Sequence, residues 1–365
     1  MTSEFYIGLM SGTSLDGVDA ALVDFSGTPP RILASAHHPF NSALRAELLA
    51  LNSPGDDEIG RSAIAGNELA RAFAAVVAAV LHSGGVGKQE IRAIGCHGQT
   101  VRHRPERGYS LQIGNAALLA EISGIRVVSD FRSRDIAAGG QGAPLAPAFH
   151  AALLQSREED RTVLNLGGIA NLTSLRRDGS VSGFDCGPGN CLMDLWSSLH
   201  LHLPFDRGGE WGAGGRVIPE LLARMQAEPY FAMPPPKSTG RDLFNEAWLR
   251  ARLGPSDEPR SVQATLLELT AGSIADAIGR HCPGTGRVIA CGGGVRNAAL
   301  MSRLEELLRP LCIEPSDRHG IDPQLVEAIA FAWLAKQTLE NAPGNLPSVT
   351  GARGPRMLGA VHPGV

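Results

Sequence analysis

Two segments of this chain repeat one pattern: an apolar strand, a short turn of glycine and small polar residues, and a second apolar strand. The first segment spans residues 5–25, and the second spans residues 162–175. Asp16-Gly17 ends the first turn and Gly167-Gly168 forms the second, and such pairs between strands are typical of β-hairpins. Because each half of the chain opens with such a hairpin, the pattern predicts a duplicated fold that holds a nucleotide between two lobes.

The first turn carries groups that suit a bound nucleotide. Backbone N–H groups in a concave turn bind phosphate oxygens, and a neighbouring carboxylate can hold Mg²⁺ directly or through water. We therefore expect Asp16 to be the metal ligand, and Asp19 to be structural or to hold the site in place. An ordinary hairpin without a ligand is the alternative interpretation. The residues assigned to nucleotide binding in this segment are Gly12, Thr13, Ser14, Leu15, Asp16, Gly17, Val18 and Asp19. Those expected to contact the other side of the phosphates, in the second hairpin, are Asn165, Gly167, Gly168 and Asn171.

Composition narrows the class of protein. A chain of 365 residues, 43% of them hydrophobic, is long enough for two domains with cores of their own. The net charge is −4 and the basic residues are scattered, so we expect neither a nucleic acid nor a membrane as partner. None of the lysines, at 88, 237 and 336, stands in a G-x-x-x-x-G-K-[ST] motif, which excludes a P-loop nucleotide site.

The cysteines and the N-terminus indicate the compartment. The six cysteines form no C-x-x-C pair, which in a chain of this length favours free thiols in a reducing environment. The first residues lack the basic and apolar regions of a signal peptide. The most apolar helical run, residues 72–81, is too short to cross a bilayer. We therefore expect a cytoplasmic protein.

Alternating helices and strands follow each hairpin, which predicts an α/β fold with mixed sheets. The predicted strands are 31–38, 91–96 and 126–129 in the first half and 181–184, 287–291 and 311–314 in the second. The predicted helices are 41–51, 58–82, 115–123 with Asn115 as N-cap, 191–201, 297–308, and a last helix that begins at Asp322-Pro323 and ends near Leu339.

The segment 137–147, rich in glycine, alanine and proline, is the expected junction between domains. This places an N-terminal lobe at 1–140 and a C-terminal lobe with nucleotide-binding motifs at 141–340. A tail at 341–365 follows, for which packing against the first lobe is one option.

The motifs of this chain resemble those of the sugar kinase/Hsp70/actin superfamily, through the two hairpins and a late strand–Gly-Gly-Gly–helix unit. Within it, they resemble the anhydro-N-acetylmuramic acid kinase family through an ordered series between residues 10 and 297. The series is MSGTSLDGVD, HGQT, GGQGAP, NLGGIAN, GFDCGPGN, PPPKSTGRDLFN and CGGGVRN. One segment, residues 205–209, departs from the family pattern because Gly208 stands where an acidic residue is expected.

This resemblance implies an α/β fold of the actin-like ATPase type, with two RNase H-like lobes, mixed sheets flanked by helices, and a nucleotide cleft between the lobes. It implies ATP and Mg²⁺ as cofactors and a small-molecule sugar as substrate. The implied activity converts 1,6-anhydro-N-acetylmuramic acid, ATP and water to N-acetylmuramic acid 6-phosphate, in peptidoglycan recycling. Whether the chain forms a homodimer stays open.

The implied reaction needs a general base. O6 of the anhydro sugar carries no proton, so it becomes a nucleophile only as water attacks C1 and the C1–O6 bond breaks, which requires a carboxylate to take a proton from the water. We choose Asp185 as this catalytic residue, because it ends a strand on a Gly-Pro-Gly turn just before a helix N-terminus. The alternative is that Asp185 only caps that helix, a role that Asn190 suits better.

The late glycine turn is the expected adenosine pocket, formed by Gly292, Gly293, Gly294 and Asn297. With Glu314 at the end of the next strand it imitates a dinucleotide-binding fingerprint, but Asn297 replaces the third glycine. A Rossmann site is therefore the less favoured interpretation.

The sugar site is expected to involve His97, Gln99, Asp130, Arg132 and Glu327. His97 and Gln99 offer donors and acceptors, although a satisfied surface turn explains them equally. Arg132 or Arg134 suits the lactyl carboxylate of muramic acid, unless either pairs with Asp130 or Asp135. A carboxylate such as Glu327 in an apolar helix needs a partner, for which the resemblance suggests a sugar hydroxyl, or else it faces solvent.

Two rival functions remain from the sequence. One is a kinase for an ordinary free amino sugar, in which Asp185 deprotonates a hydroxyl. The other is a nucleotide-gated binding module of the Hsp70 or actin type, with a slow ATPase and a protein partner. The loop 237–241 has no role that the sequence assigns.

Overall fold

The computed structural model of the protein describes residues 4–12 and 15–365. Thr13 and Ser14, to which nucleotide binding is assigned above, lie outside the described residues. The strands are β1 (Phe5–Met10), β2 (Gly17–Asp24), β3 (Arg31–Pro39), β4 (Ile91–Cys96), β5 (Gln99–Arg104), β6 (Tyr109–Ile113), β7 (Val127–Ser129), β8 (Asp160–Leu166), β9 (Ile169–Leu175), β10 (Val181–Pro188), β11 (Thr285–Cys291), β12 (Cys312–Pro315) and β13 (Ala360–His362). The helices are α1 (Ser42–Ala50), α2 (Glu58–Gly84), α3 (Ala116–Ser123), α4 (Ser133–Ala137), α5 (Ala146–Leu154), α6 (Cys191–Leu201), α7 (Glu210–Ala213), α8 (Pro219–Gln226), α9 (Pro229–Ala232), α10 (Glu246–Arg250), α11 (Pro259–His281), α12 (Ala298–Leu308), α13 (Val326–Leu339) and α14 (Pro347–Thr350).

The first sheet is mixed, with the strand order β13-β7-β4-β1-β2-β3. β1, β2 and β3 form an antiparallel meander, whereas β4 lies parallel to β1 and β7 parallel to β4. The inner residues of β1 and most of β4 are buried, as expected for strands covered on both faces.

The second sheet repeats this arrangement with the order β10-β9-β8-β11-β12. Here β8, β9 and β10 form the antiparallel meander, and β11 and β12 continue the sheet in parallel from β8. In both sheets the first strand of the glycine hairpin lies in the centre and pairs with a later parallel strand. The predicted pair of RNase H-like lobes with mixed sheets is therefore confirmed.

The chain divides into two compact units: the first unit is residues 1–153 together with 325–365, and the second unit is residues 154–324. These bounds differ from the predicted 140 and 340, because α13 packs on β1 and β4 of the first sheet. Two glycines permit this close packing. A Cβ atom on Gly8 would overlap the carbonyl oxygen of Ala328, and one on Gly95 would overlap that of Phe331.

The segment predicted as the domain junction is instead part of the first unit, where a buried carboxylate holds it. Asp135 has no exposed surface and accepts hydrogen bonds from the backbone N–H of Gly142 at 2.8 Å, from Asn345 Nδ2 at 2.6 Å and from the Thr350 hydroxyl at 2.7 Å. The C-terminal tail also contributes β13, which pairs with β7. Asp135 thus connects the glycine-rich loop to the tail.

The last long helix starts later than predicted. The expected start at Asp322-Pro323 is wrong, because α13 begins at Val326 and Leu325 precedes it without a side-chain cap. The Pro323 carbonyl accepts a hydrogen bond from the backbone N–H of Gly292, and Gln324 Nε2 donates to the Gly292 carbonyl. These contacts hold the segment in a turn against the late glycine motif.

Helix α2 is longer than the apolar run predicted within it. Over its 27 residues it is long and apolar enough to cross a membrane by length and composition alone. Its apolar side lies in the hydrophobic core of the first unit, where Leu69, Phe73 and Val80 are buried. The predicted N-cap of α3 is confirmed, since the Asn115 side chain accepts from the backbone N–H of Leu118.

Candidate active site

Three predicted polar residues lie in one row across neighbouring strands of the second sheet. Asn165 of β8 pairs with Asn171 of β9, and Asn171 pairs with Asp185 of β10. Directly paired residues of antiparallel strands project their side chains from the same face of a sheet. The sheet therefore brings Asn165, Asn171 and Asp185 together on one face. The prediction that Asp185 ends its strand is wrong in detail, because β10 continues to Pro188 with an irregularity after Asp185.

The loop 237–241, to which the sequence assigns no role, surrounds Asp185. Oδ2 of Asp185 accepts hydrogen bonds from the Ser238 hydroxyl and from the backbone N–H of Thr239, both at 3.0 Å. The backbone N–H of Asp185 donates to the Lys237 carbonyl at 3.1 Å, and the Tyr230 hydroxyl donates to the Asp185 carbonyl at 2.8 Å. These hydrogen bonds fix both the side chain and the backbone of Asp185.

The surroundings of Asp185 raise its pKa. Burial raises its pKa above the ordinary aspartate value, and the hydrogen bonds from Thr239 and Ser238 oppose this rise. The two donors stabilise the ionised form, while burial increases its affinity for a proton. Such a carboxylate is suited to accept a proton from a bound water.

The Gly167-Gly168 turn lies against the start of α6. The Gly167 carbonyl accepts a hydrogen bond from the backbone N–H of Asn190 at 2.8 Å, and the Gly168 carbonyl accepts from Gly189 and Cys191 at 2.9 and 3.1 Å. Because the C=O and N–H of a trans peptide point in opposite directions, the N–H of Gly168 points away from Asn190. The Gly168 N–H therefore faces away from the start of α6, which the Gly167 carbonyl contacts.

Asn190 does not cap α6 with its side chain, contrary to the role considered for it. Its Nδ2 donates to the Leu166 carbonyl at 3.1 Å, so the side chain ties the start of α6 to the end of β8. Space there is restricted, since a Cβ atom on Gly294 would lie 2.9 Å from Asn190 Oδ1. Glycine at 294 therefore permits the late motif to pack against this side chain.

A cavity of about 510 Å³ lies beside the late glycine motif in the second unit, but Gly292, Gly293, Gly294 and Asn297 are not among the residues that line it. Val295 and Arg296 form one part of it, and Asp322 and Gln324 lie on the segment that bonds to Gly292. Gly292 has a φ of 85°, which favours glycine there. Asn297 caps α12, its Oδ1 accepting from the backbone N–H of Leu300 at 3.0 Å.

The Rossmann interpretation is not supported by the surroundings of Glu314. Its carboxylate lies 2.9 Å from Arg287 Nη1, with which it forms an ion pair, and 2.8 Å from His319 Nε2. The sheet to which it belongs begins with an antiparallel hairpin, unlike the parallel βαβ unit of a dinucleotide-binding domain.

The turn of the first hairpin is held by buried polar contacts. The Ser11 hydroxyl lies 2.6 Å from Gln99 Oε1 and 3.0 Å from the Gly17 carbonyl, and Gln99 Nε2 donates to the Gly12 carbonyl at 3.3 Å. Gln99 is 1% exposed, so its side chain shapes this turn. The backbone N–H of Leu15 closes the turn by donating to the Gly12 carbonyl.

The residues assigned to nucleotide binding after this turn differ in what they can offer a ligand. Leu15 and Val18 have buried side chains in the core of the first unit, so only their backbone could reach a ligand. Asp16 is exposed at the turn. Asp19 Oδ1 lies 2.9 Å from His37 Nδ1, a partner that agrees with its expected structural role.

His97 and Arg132, both predicted for the sugar site, are in direct contact. Arg132 Nη2 lies 3.0 Å from His97 Nε2, and His97 Nδ1 lies 2.9 Å from the Gly98 carbonyl. Because arginine only donates, Nε2 accepts and Nδ1 carries the proton of a neutral imidazole. Burial, aided by the charge of Arg132, lowers the pKa of His97 to about 3, so it is neutral at physiological pH.

Arg132 keeps binding capacity towards a ligand. Its Nη1 donates to the Gly142 carbonyl at 2.7 Å, while its buried Nε has no hydrogen-bond partner among the described residues. Burial lowers its pKa to about 10, so it stays a cation. Glu327, in the first turn of α13, keeps an exposed surface, and desolvation raises its pKa while the charge of Arg132 opposes this.

The remaining predicted residues of this region have separate partners. Asp130 is exposed with a φ of 56°, and its Oδ1 accepts from the backbone N–H of Ser133 at 3.3 Å, which is the bond of a turn. Among the described residues, neither Arg132 nor Arg134 forms an ion pair within 4.0 Å with Asp130 or Asp135. His97, Arg132 and Glu327 therefore form the group that the structure brings together.

The segment that departs from the family pattern is a tight turn around Asp206. This buried carboxylate accepts from the backbone N–H groups of Trp211 at 3.0 Å and Gly212 at 2.8 Å. Gly208 has a φ of 64°, a conformation that glycine adopts without strain. The glycine at 208 is thus explained by the backbone of the turn.

Sequence reasoning missed three polar residues near Asp185 and the second glycine turn. Ser238 and Arg241 belong to the loop 237–241, and Asp194 lies in the first turn of α6. Burial raises the pKa of Asp194 to about 7, with Arg241 opposing and Asp206 adding to the rise. The only signal for the loop was its motif PPPKSTGRDLFN, because its partners are distant in the chain.

In each of the two sheets an antiparallel meander of three strands continues into two parallel strands, and the first strand of a glycine-rich hairpin lies at the centre. This arrangement places the protein in the class with the actin-like ATPase fold. A family model described as anhydro-N-acetylmuramic acid kinase matches residues 4–364. The chain belongs to the anhydro-N-acetylmuramic acid kinase family. Relatives named anhydro-N-acetylmuramic acid kinase include those of Variovorax paradoxus (strain S110), 55% identical over 100% of both chains, and Nitrosospira multiformis, 51% identical over 100% of both. That of Cupriavidus pinatubonensis is 54% identical over 98% of each chain.

Proposed function

We propose that this protein is a phosphotransferase that uses ATP to convert 1,6-anhydro-N-acetylmuramic acid and water to N-acetylmuramic acid 6-phosphate, in cell-wall recycling. Membership of the family over the whole chain supports the reaction. The observation that carries the assignment of roles is the Asp185 carboxylate, fixed by Ser238 and Thr239 in a row with Asn171 and Asn165.

In the proposed reaction Asp185 accepts one proton from water. Water attacks C1, the C1–O6 bond breaks, and O6 takes the electron pair and forms a bond to the γ-phosphorus as ADP leaves. The proton that the attacking water loses goes to Asp185. Its raised pKa favours this transfer, and a positioned general base contributes about 10²–10⁴ in rate.

ATP binding is assigned to residues of each unit separately. In the first unit these are Gly12, Leu15, Asp16, Gly17 and Val18, together with Thr13, Ser14 and Asp19. In the second unit they are Asn165, Gly167, Gly168 and Asn171, with the adenosine near Gly292, Gly293, Gly294 and Asn297. The N–H of Gly168 supports phosphate binding, and the cavity of about 510 Å³ beside Val295 has room for a nucleoside.

The residues present fit Mg²⁺ bound largely through ATP. Asp16 is an exposed carboxylate in a turn, and Mg²⁺ commonly takes one or two carboxylates together with phosphates and waters. When bound, Mg²⁺ would neutralise charge on the phosphates during transfer.

The sugar is bound in the first unit by His97, Arg132 and Glu327. The unpaired Nε of Arg132 and its fixed charge suit the lactyl carboxylate, and the neutral His97 holds the guanidinium in place. Glu327 suits a sugar hydroxyl. Gln99 and Asp130 contribute through the turns that they form, and the reaction takes place in the cytoplasm on small molecules alone.

The test is product identification with purified protein, ATP and 1,6-anhydro-N-acetylmuramic acid in ¹⁸O-water. We expect N-acetylmuramic acid 6-phosphate with the label at C1 in rapidly quenched samples. Product without this label would show that water does not open the ring, as in a kinase for a free amino sugar.

The variant Asp185→Asn tests the base. It should lose about 10²–10⁴ in kcat and still bind ATP, because the amide keeps the volume but cannot take the proton. Asp178→Asn, at an exposed turn where the carboxylate accepts from Ser180, is the matched control and should keep full activity. If Asp185→Asn kept most of its activity, another residue would be the base.

A further inference from the structure

The Arg241 guanidinium lies over the second glycine turn. Its Nη2 and Nε are 3.8 and 4.0 Å from the position that a Cβ atom on Gly168 would occupy. The Cβ of Cys191, the first residue of α6, is 3.8 Å from the same position. The turn, the N-terminus of an 11-residue helix and a cation therefore meet around Gly168. Each of the three favours an anion.

Arg241 has no strong counter-ion in the part of the chain that the structure describes. The side chain is exposed and forms no ion pair within 4.0 Å among the described residues. Asp194 is the carboxylate whose charge it interacts with, and burial raises the pKa of that carboxyl to about 7. A carboxyl that is partly protonated at neutral pH neutralises a guanidinium only in part. The charge of the guanidinium therefore remains available to an anionic ligand.

The lysine of the same loop is not available for this purpose. Lys237 is 8% exposed, and its Nζ donates to the carbonyls of Tyr230 and Phe231, both at 3.3 Å. It stabilises the end of α9. Lys237 is the one lysine in the sequence of the second unit, so the side-chain cation for phosphates there is more readily an arginine.

We propose that Arg241 is a catalytic residue that binds the transferred γ-phosphoryl group of ATP, a role that rests on the proposed function. Its planar fork can contact two phosphate oxygens at once. Ser238, three residues earlier, holds the Asp185 carboxylate. One short loop therefore orients the base and also carries the cation that stabilises the phosphoryl group.

The experiment compares nucleotides in the absence of sugar. Arg241→Gln should weaken binding of a non-hydrolysable ATP analogue about tenfold or more, as measured by calorimetry, because a charge-assisted pair of hydrogen bonds is lost. Binding of ADP should change by less than about threefold, since the γ-phosphate is missing. Arg241→Lys should recover part of the loss. Arg216→Gln, another exposed arginine of the second unit, is the control and should match the wild type.

Turnover gives the second readout. With sugar present, Arg241→Gln should lower kcat about 10²–10³-fold, the usual cost of losing one group that stabilises the transition state. Equal weakening of ADP and ATP-analogue binding, or no weakening, would overturn the role of Arg241. If the wild type binds the ATP analogue but makes no sugar phosphate, the proposed substrate fails while the binding comparison still judges Arg241. A wild type that binds no ATP analogue overturns both.

Discussion

The backbone N–H of Thr239 donates a hydrogen bond of 3.0 Å to Oδ2 of Asp185, although 54 positions separate the two residues in the chain. The Ser238 hydroxyl donates to the same oxygen at the same distance. The other oxygen, Oδ1, is not involved in these bonds. The loop therefore orients the carboxylate and leaves Oδ1 for the water that we propose Asp185 activates.

Removing the Ser238 hydroxyl should change the pH dependence of the reaction. Because this hydroxyl lowers the pKa of Asp185, Ser238→Ala should raise that pKa and move the acid limb of the kcat/KM profile to higher pH. We expect kcat/KM at neutral pH to fall about 3–10-fold, since a hydrogen bond of this kind contributes about 1 kcal/mol. Ser182→Ala serves as the control, since Ser182 is exposed on β10, the strand that carries Asp185. An unchanged acid limb would mean that Ser238 does not act on the base.

Acid should destabilise the protein partly through His97. Its pKa is about 3 in the folded chain and about 6.5 when unfolded, so between these values only the unfolded chain binds the proton. Stability from this group is complete above pH 6.5 and declines as the pH falls towards 3, by about 1.4 kcal/mol per pH unit. His97→Asn should remove this slope from the free energy of unfolding, measured in urea at several pH values. His82→Asn, on the exposed end of α2, should leave the slope as in the wild type.

The close packing of α13 on the first sheet should be sensitive to a single methyl group. Gly95→Ala places a Cβ atom against the Phe331 carbonyl, so the helix has to move. We expect a loss of at least about 2 kcal/mol in unfolding free energy, the scale of overpacking, and a raised KM for the sugar because α13 carries Glu327. Gly279→Ala, with nothing within 4 Å of the added atom in helix α11, should keep or raise stability by up to about 1 kcal/mol. Equal stability of the two variants would show that the packing is not tight.

The buried carboxylate of Asp135 should be required for the order of the C-terminal tail. Asp135→Ala leaves three donors without their acceptor, from Gly142, Asn345 and Thr350, and should cost about 3 kcal/mol or more. The tail should then be cut faster in limited proteolysis. Asp178→Ala, at an exposed turn, should change stability by less than about 1 kcal/mol. A tail as resistant as that of the wild type would contradict this role.

The sequence predicted those helices and hairpins whose ends are determined by neighbouring residues in the chain. Helix α6 has both predicted ends, Cys191 and Leu201, and Asn115 caps α3 as predicted. The strand–turn–strand hairpins also follow from short-range alternation and turn chemistry. These features depend on residues within a few positions of each other, which is the range over which propensity and capping act.

The features that escaped prediction depend on contacts between distant segments. The start of α13 is delayed because Gly292 bonds to Pro323 and Gln324, and the hairpin of β5 and β6 forms where the sequence suggested only a turn after His97. The loop 237–241 has no hydrophobic periodicity, and its role depends on contacts with Asp185, which is more than fifty positions away. The sequence drew attention to Asp185 as a candidate, whereas it gave no indication of the groups that bond to it.

The first unit is discontinuous, since residues 1–153 are completed by residues 325–365. During synthesis the second unit therefore leaves the ribosome whole while the first still lacks α13 and β13, so α13 does not cover β1 and β4 until residues 325–365 have been made. A nascent chain halted near residue 324 would carry a finished second unit and a first sheet whose apolar strands β1 and β4 lack their covering helix.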